Sequence, residues 1–239
     1  MDRMWLGRRV ICLMSQSVNK RYLITLAEPK SPISEAYRSL RTSIDFSSID
    51  ENIKVILVTS AGPGEGKSTT IGNMAVTYAQ AERRVVLIDA DLRKPTEHHT
   101  FNISNRLGLS SILSQQCSLE EAIQNTDIPN LSVITSGPIP PNPAEMMASQ
   151  RMSKLLEELK GKFDAVLIDS PPLLAVTDAH ILSTRCDGVV LVMSQGRVKR
   201  DIAKKAKIGL EKVGAKILGV VLNNVKRKKS ESYYYYYYG

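Results

Sequence analysis

The chain has 239 residues, of which 43% are apolar and 23% charged, a composition typical of a folded domain and not of a disordered or fibrous protein. No segment approaches the roughly 20 apolar residues that cross a bilayer, and the three cysteines form no Cys-x-x-Cys pair, so a membrane span, a zinc site and a disulfide framework are all excluded. The net charge of +8 lies in local clusters without interleaved aromatic residues, and we therefore expect no nucleic-acid partner. These features favour one large domain in the reducing cytoplasm.

The N-terminal part of the chain mixes basic and apolar residues without a clear period. We interpret residues 1–28 as an N-terminal arm of uncertain structure that lies outside the core. A helix is predicted to follow, because Ser31 can cap it and Pro32 suits its first turn. Its apolar stripe consists of Ile33, Tyr37, Leu40 and Ile44.

Beyond this helix, β-rich runs alternate with amphipathic stretches. Continuous apolar runs predict strands buried on both faces at residues 54–60, 85–90, 131–136, 165–170, 188–194 and 216–223. Helical spacing is found over residues 67–80 and 152–160. The pattern predicts an α/β fold in three layers over residues 29–225, with a mainly parallel sheet flanked by helices. Residues 226–239 show no core pattern and are expected to form a mobile, basic and tyrosine-rich tail.

The strongest motif is SAGPGEGKSTT, residues 60–70, between a predicted strand and a predicted helix, as a phosphate-binding P-loop requires. Its glycines allow a tight turn that aims backbone N–H groups at phosphate oxygens, and the following helix contributes its positive end. Lys67 supplies a mobile charge for the β and γ phosphates, and Ser68 is the expected magnesium ligand. The strict pattern has glycine in place of Ala61, where alanine is a tolerated variant. The expected nucleotide-binding residues are Gly62, Pro63, Gly64, Glu65, Gly66, Lys67, Ser68 and Thr69.

Carboxylates follow two further predicted strands. Asp89 and Asp91 lie in VVLIDADLRKP, and Asp169 lies in AVLIDSPP, the Walker B arrangement. A single aspartate after an apolar strand is more often a helix cap or a turn residue. Three of them in a chain that also carries a P-loop point to a magnesium nucleotide site.

With these motifs the sequence resembles the bacterial tyrosine kinases (BY-kinases) of capsule and exopolysaccharide synthesis, in the form whose catalytic domain is separate from its membrane activator. The resemblance covers about residues 29–239 and rests on GPGEGKST, on the Walker A′ segment LIDADLRKP, on LIDSPP and on the terminal tyrosines. It implies a P-loop NTPase fold, ATP and Mg²⁺ as cofactors, and phosphate transfer to protein tyrosine. Lys67 and Ser68 would hold phosphates and metal, Asp89 would orient or deprotonate the tyrosine hydroxyl and also reach the metal, and Asp91 and Asp169 would complete the metal shell.

The resemblance also gives a role to the tyrosine cluster. A run of exposed phenols on a mobile tail has no packing rationale, and an expression tag or translation artefact is the alternative interpretation. The expected autophosphorylation sites are Tyr233, Tyr234, Tyr235, Tyr236, Tyr237 and Tyr238.

A Glu-x-x-Arg-x-x-Arg motif, Glu35, Arg38 and Arg41, matches the motif that this family uses for ring assembly. On a helix these side chains share one polar sector opposite the apolar stripe, so they can reach a neighbour together, although a plain surface salt bridge is the alternative. Assembly would place the tail of one subunit at the active site of another. The resemblance further places Asn223 where related ATPases read adenine.

The resemblance implies several partners. They are a transmembrane activator of the polysaccharide co-polymerase type, further copies in a ring such as an octamer, a cognate tyrosine phosphatase, and protein substrates. The chain is expected in the cytoplasm, recruited to the inner face of the membrane by the activator. Residues 1–28 do not match the usual start of the family domain and are open to interpretation as an extension, an activator fragment or a start-site artefact.

The alternative function is that of a partition or septum-positioning ATPase, which hydrolyses ATP to switch partners and transfers nothing to tyrosine. Those ATPases usually carry a signature lysine early in the P-loop, where this chain has Gly62. A non-enzymatic scaffold role ranks last, because it leaves the P-loop and the aspartates without a purpose.

Overall fold

A computed structural model of the protein describes residues 9–14, 23–47 and 53–225. The strands in these ranges are β1 Arg9–Met14, β2 Val55–Ser60, β3 Val85–Asp89, β4 Ile123–Asn125, β5 Leu131–Ile134, β6 Ala165–Asp169, β7 Gly188–Ser194 and β8 Ile217–Val225. The helices are α1 Ile24–Ala27, α2 Pro32–Phe46, α3 Lys67–Ala79, α4 Glu97–Thr100, α5 Leu109–Leu113, α6 Leu119–Ala122, α7 Pro143–Ala148, α8 Gln150–Lys162, α9 Asp178–Ser183 and α10 Arg200–Lys212.

All these strands join one sheet in the order β1-β8-β7-β2-β6-β3-β5-β4. Neighbouring strands are parallel except β4 and β5, which pair antiparallel. The predicted fold class is therefore confirmed, and each predicted strand is present. The chain leaves the central strand β2 through α3 and returns in β3, on the far side of β6. Ligands of parallel sheets bind where the connections diverge at the carboxyl ends of such strands.

The core lies on both faces of the sheet. Leu57 on β2 packs in one cluster with α5 to α10, whereas its neighbour Ile56 packs in a second cluster with α1, α2 and α3. Both side chains are almost completely buried, at 0% and 1% exposure. This explains why the strand sequences are continuously apolar and do not alternate with polar residues.

Helix α2 follows the prediction. The Ser31 hydroxyl accepts a 3.2 Å hydrogen bond from the Ser34 N–H, and Pro32 opens the helix. The predicted stripe is buried at Tyr37, Leu40 and Ile44 and half-buried at Ile33. Packing of this stripe against α3 and the sheet fixes the helix beside the P-loop helix.

The N-terminal residues differ from the predicted arm. Strand β1 pairs in parallel with β8 and extends the sheet at its edge. Ile24 belongs to the core, and the Thr25 hydroxyl donates a 2.9 Å hydrogen bond to Asn73 of α3. A short strand and a one-turn helix are too brief to show a periodic pattern, which is why the sequence did not reveal them.

The predicted tail, residues 226–239, lies outside the described residues, together with Tyr233 to Tyr238. Within the described ranges, no helix combines the length and the apolar character that a bilayer span requires.

Candidate active site

The P-loop joins β2 to α3 and has the backbone geometry that its glycines predict. Gly64 and Gly66 have φ angles of 73° and 92°. These left-handed conformations are rare for residues with a side chain. Ala61 is buried and is not among the described residues with positive φ, so the glycine of the strict pattern is not needed at this position.

The first turn of α3 points its N–H groups towards the site of an anion. The first helical hydrogen bond runs from the Thr70 N–H to the Gly66 carbonyl, at 2.8 Å. The N–H groups that precede Thr70 have no partner within the helix and carry the positive end of its dipole. This is the arrangement in which P-loops bind phosphate.

Lys67 and Ser68 lie against the carboxylates at the ends of β3 and β6. The Lys67 ammonium is 3.1 Å from Asp91 Oδ2 and 3.4 Å from Asp169 Oδ2. The Ser68 hydroxyl donates a 2.6 Å hydrogen bond to Asp169 Oδ2. The structure therefore brings together four of the predicted site residues, two of them acidic, at the mouth of the P-loop.

The electrostatics of this cluster follow from burial. Burial lowers the pKa of Lys67, but the carboxylates of Asp169 and Asp91 outweigh this effect and hold the pKa above its ordinary value. Burial raises the pKa of Asp169, against the opposing effect of Lys67. The charged form of Lys67 is thus stabilised by the carboxylates, and the charged form of Asp169 is stabilised by Lys67.

Asp89 lies in a different environment from Asp91 and Asp169. It is fully buried, and its carboxylate accepts backbone hydrogen bonds from Asp91 at 3.2 Å, Thr96 at 2.7 Å and Glu97 at 2.9 Å. Burial and the negative charge of Asp169 raise the pKa of Asp89 to about 7. Asp89 therefore fixes the loop that carries Asp91.

The predicted metal ligands are Ser68, Asp89, Asp91 and Asp169. In the described part of the chain, no group of three acidic, histidine or cysteine side chains has the arrangement of a metal site. Two contacts explain why these side chains do not form such a group. Asp89 accepts hydrogen bonds from backbone N–H groups, and the Lys67 ammonium lies between Asp91 and Asp169. The protein alone thus offers a partial set of oxygen ligands.

Arg93 is a residue of this region that sequence reasoning missed. It makes a bidentate ion pair with the buried carboxylate of Asp178, the first residue of α9, at 2.9 and 3.0 Å. The pair ties the segment after Asp91 to α9. The two residues are 85 positions apart, so no local signal indicates the contact.

The β7 and β8 side of the P-loop holds Asn223 and a second missed residue, Arg197. Asn223 Nδ2 donates a 3.0 Å hydrogen bond to the Glu65 carbonyl, and Arg197 Nη1 donates one of 3.0 Å to the Gly64 carbonyl. Asn223 is thus held against the P-loop, and its reading of adenine stays a prediction. Arg197 belongs to one of the clusters of basic residues in the sequence, and no local signal distinguishes it, because Gly64 is 133 positions away.

The arginines of the Glu-x-x-Arg-x-x-Arg motif on α2 contact groups of their own chain. Arg38 forms a 2.8 Å ion pair with Glu35 and also donates to the Pro29 carbonyl. Arg41 donates a 2.6 Å hydrogen bond to the Thr77 carbonyl in the last turn of α3. Glu35 is exposed, while the two arginines are half-buried.

Comparison with known proteins gives consistent relatives. Residues 53–201 match the family model described as an AAA domain. The chain is 49% identical over 207 residues to the tyrosine-protein kinase YwqD of Bacillus subtilis (strain 168), covering 87% of each chain. It is 42% identical over 198 residues to the putative tyrosine-protein kinase CapB of Staphylococcus aureus, covering 83% of this chain and 87% of the relative. The crystal structure of the chimerical protein CapA2B2 superposes with a TM-score of 0.88 at 42% identity, over 93% of this chain and 96% of that one.

A more distant structural neighbour bears on the alternative function. The septum site-determining protein MinD of Pyrococcus horikoshii, complexed with Mg-ADP, superposes with a TM-score of 0.63 at 25% identity. The match covers 74% of this chain and 72% of that protein. Both the similarity and the coverage are lower than for CapA2B2, and the shared part is the P-loop fold.

Proposed function

The chain belongs to the bacterial tyrosine-protein kinases, ATP-dependent transferases, and from that premise we propose that it autophosphorylates its C-terminal tyrosine cluster in trans and regulates capsular or exopolysaccharide synthesis. The observation that carries the proposal is the convergence of Lys67, Ser68, Asp91 and Asp169 beside the P-loop. The six consecutive tyrosines of the tail supply acceptors in the same chain. The CapB relative supports the capsule pathway.

The ligand set fits magnesium bound together with a nucleotide. Mg²⁺ prefers hard oxygen ligands and is usually held by one or two carboxylates plus substrate phosphates, not by an all-protein cage. Ser68 and Asp169 offer two adjacent oxygens, and Asp91 lies on the other side of Lys67. We assign the ion to these three residues, with Asp91 acting partly through water. When bound, magnesium neutralises charge on the β and γ phosphate oxygens.

Lys67 has a second task besides pairing with carboxylates. Its flexible stem allows the ammonium to bind phosphate oxygens, where it stabilises the charge that shifts during transfer. The N–H groups of the P-loop and of the first turn of α3 hold the remaining phosphate oxygens. Transfer of this kind depends on positioning and charge neutralisation, which is what these residues provide.

Asp89 is our proposed group for the tyrosine hydroxyl, by orientation or by proton abstraction. A pKa of about 7 suits a general base that works near neutral pH. In the structure the carboxylate is bonded to backbone N–H groups, so a hydroxyl would have to replace one of these donors. Holding the Asp91 loop is the role that its present contacts support.

Transfer between subunits requires assembly, and we assign this to Glu35, Arg38 and Arg41 in a ring such as an octamer. A transmembrane activator would recruit the chain to the inner face of the membrane, and a tyrosine phosphatase would reverse the modification. The similarity to CapA2B2, a chimera whose name joins CapA to CapB, supports an activator of the CapA type. ATP hydrolysis that switches partners is the alternative, supported by the likeness to MinD.

The test is to incubate the purified protein with magnesium ATP, with and without the cytoplasmic tail of the activator, and to locate phosphate by peptide mass spectrometry. We expect phosphate on Tyr233–Tyr238, and none in a folded Lys67→Met protein. Mixing Lys67→Met protein with a catalytically intact protein that lacks residues 226–239 tests transfer in trans, since only the inactive copy then carries acceptors. ATP hydrolysis with an unmodified tail in every mixture would overturn the kinase proposal in favour of the partner-switching ATPase.

A further inference from the structure

Glu65 is an acidic side chain inside a loop that is expected to hold a polyphosphate. Like charges at this range repel each other, and the repulsion is strong where water is excluded. The side chain does not turn away into solvent, since Glu65 is only 4% exposed. Its presence within the P-loop therefore calls for a structural role.

The contacts of Glu65 link the two halves of the loop. Its Oε1 accepts a short hydrogen bond from the Gly62 N–H, and a Cβ on Gly62 would lie 3.2 Å from the same oxygen. Its backbone carbonyl accepts the 3.0 Å hydrogen bond from Asn223 Nδ2. Burial raises the pKa of the Glu65 carboxyl, and backbone groups of Gly62, Ala61 and Ser194 oppose this rise. One residue thus binds the start of the loop with its side chain and the end of β8 with its backbone.

The partner on β8 is itself fixed. The Gln195 N–H donates a 2.8 Å hydrogen bond to the Asn223 carbonyl, and the Asn224 N–H donates one of 2.8 Å to Asn223 Oδ1. Asn223 also lies so close to Gly66 that a Cβ there would be 2.0 Å from its Nδ2. Movement of Glu65 would therefore disturb the P-loop at both Gly62 and Gly66.

We propose that Glu65 is a positioning residue that holds the P-loop in its phosphate-binding shape before the nucleotide arrives. The side chain sets the first half of the loop through Gly62, and the carbonyl, held by Asn223, sets the second half. A loop that is already ordered loses less conformational freedom on binding, and this raises affinity. The positive charge of Arg197, which stabilises the Glu65 carboxylate, also reduces the repulsion between that carboxylate and the phosphates. The inference rests on the proposed function only in taking a magnesium nucleotide as the ligand.

Three variants separate the reach of the side chain from its charge. Glu65→Gln keeps an oxygen that can accept from Gly62, Glu65→Asp keeps the charge but is one methylene shorter, and Glu65→Ala removes both. Glu157→Ala, a substitution of an exposed glutamate on α8, is the matched control. The measurements on the full chain are the Kd for Mg-ADP by fluorescence titration, the KM and kcat for ATP, and the Tm.

We expect Glu65→Ala and Glu65→Asp to raise the Kd and the KM about tenfold, which corresponds to the loss of one hydrogen bond with a charged partner. Glu65→Gln should change both by no more than about threefold, because its amide oxygen can still accept from Gly62. For the Glu65 variants the change in Kd and KM should exceed the change in kcat at saturating ATP, since Glu65 does not touch the reacting atoms. The proposal would be overturned if Glu65→Gln and Glu65→Asp lost affinity for Mg-ADP equally, or if Glu65→Asp kept its affinity. The comparison of these two variants tests the proposal even if Glu65→Ala does not fold. Mg-ADP binding needs no tyrosine, so a protein that binds nucleotide but phosphorylates nothing would refute the kinase proposal and leave this comparison intact.

Discussion

The Ser68 hydroxyl donates a 2.6 Å hydrogen bond to Asp169, although the two residues are 101 positions apart. Parallel pairing of β2 with β6 produces this contact, because Val58 near the end of β2 is in register with Asp169. The P-loop helix and the Walker B strand therefore present two oxygens to the same point. A cation held there would be fixed to both elements.

The Asp169→Asn variant tests this pair. The amide oxygen can still accept from Ser68, but it lacks the charge that magnesium requires. We expect the kcat for tyrosine phosphorylation to fall at least about a hundredfold, because a charge that holds the ion is lost. The Tm should change little, because the substitution removes one buried negative charge and Lys67 keeps Asp91 as its partner. Asp201→Asn on the exposed surface of α10 is the control. An Asp169→Asn protein with nearly full activity would show that the pair does not hold the ion.

Lys67→Met gives a second prediction, which concerns stability as well as activity. The Lys67 side chain is 12% exposed, and its loss leaves Asp91 and Asp169 buried without a counter-charge. We expect phosphotransfer to disappear and the free energy of unfolding to fall by about 3 kcal/mol while the fold is kept. Added Mg²⁺ should then raise the Tm of the variant more than that of the unmodified protein, since the ion can replace the ammonium.

The double variant Lys67→Met, Asp169→Asn tests whether the uncompensated charge causes the loss of stability. Removal of that carboxylate should recover part of the lost stability without restoring activity. If the double variant is as unstable as the sum of the single changes, Lys67 and Asp169 are not coupled, and the loss has another cause.

Sequence reasoning succeeded where the signal is local and long enough. The strand β2 has four consecutive apolar residues and leads into a glycine-rich motif, and this combination is typical of nucleotide-binding loops. The same holds for α2, where Ser31, Pro32 and the apolar stripe agree. For this reason the helices and strands, the P-loop and the aspartates at strand ends could be predicted from the sequence.

Two of the remaining features join distant segments. The Arg93–Asp178 pair and the Arg197 contact with Gly64 connect parts of the chain that are brought together only in the folded sheet. The backbone bonds of Asp89 are local, but they depend on how the loop after β3 turns back on the strand end. The sequence predicts that all three aspartates reach the metal. Their separation into one residue that holds a loop and two that face Lys67 follows from side-chain orientation, which the motif does not encode.

The pKa of Asp89 leads to a third prediction, on pH and stability. Burial and the charge of Asp169 raise this pKa from 3.8 to about 7, so the folded protein binds the proton more tightly than the unfolded chain. The contribution to stability is complete below a pH of about 4 and is lost as the pH rises through about 7, with a slope of at most about 1.4 kcal/mol per pH unit. The raised pKa of Asp169 acts in the same direction, whereas that of Lys67 lies above this window.

Urea unfolding measured at a pH of about 5 and again at about 8 tests the prediction in the unmodified protein and in Asp89→Asn. We expect the loss of stability between these conditions to be smaller in the variant. The variant should also be less stable at the lower pH, where Asp89 is a protonated carboxyl, because the amide offers one oxygen in place of the two oxygens that accept from three N–H groups. An unchanged pH difference would show that Asp89 does not titrate in this range.

The proposed assembly motif gives the last prediction, which separates contacts within the chain from contacts between chains. The Glu35–Arg38 pair is partly exposed, and such pairs contribute at most about 1 kcal/mol. Arg41 instead binds the Thr77 carbonyl at the end of α3, where helix carbonyls lack partners, so its loss should lower the Tm. Glu35→Ala should therefore reduce the assembled mass in light scattering with an almost unchanged Tm, while Arg41→Ala reduces both. Ser39→Ala, exposed on the same helix, is the control and should change neither. An assembled mass that survives Glu35→Ala and Arg41→Ala would mean that the motif serves only the internal contacts seen in the structure, and that transfer in trans requires another surface.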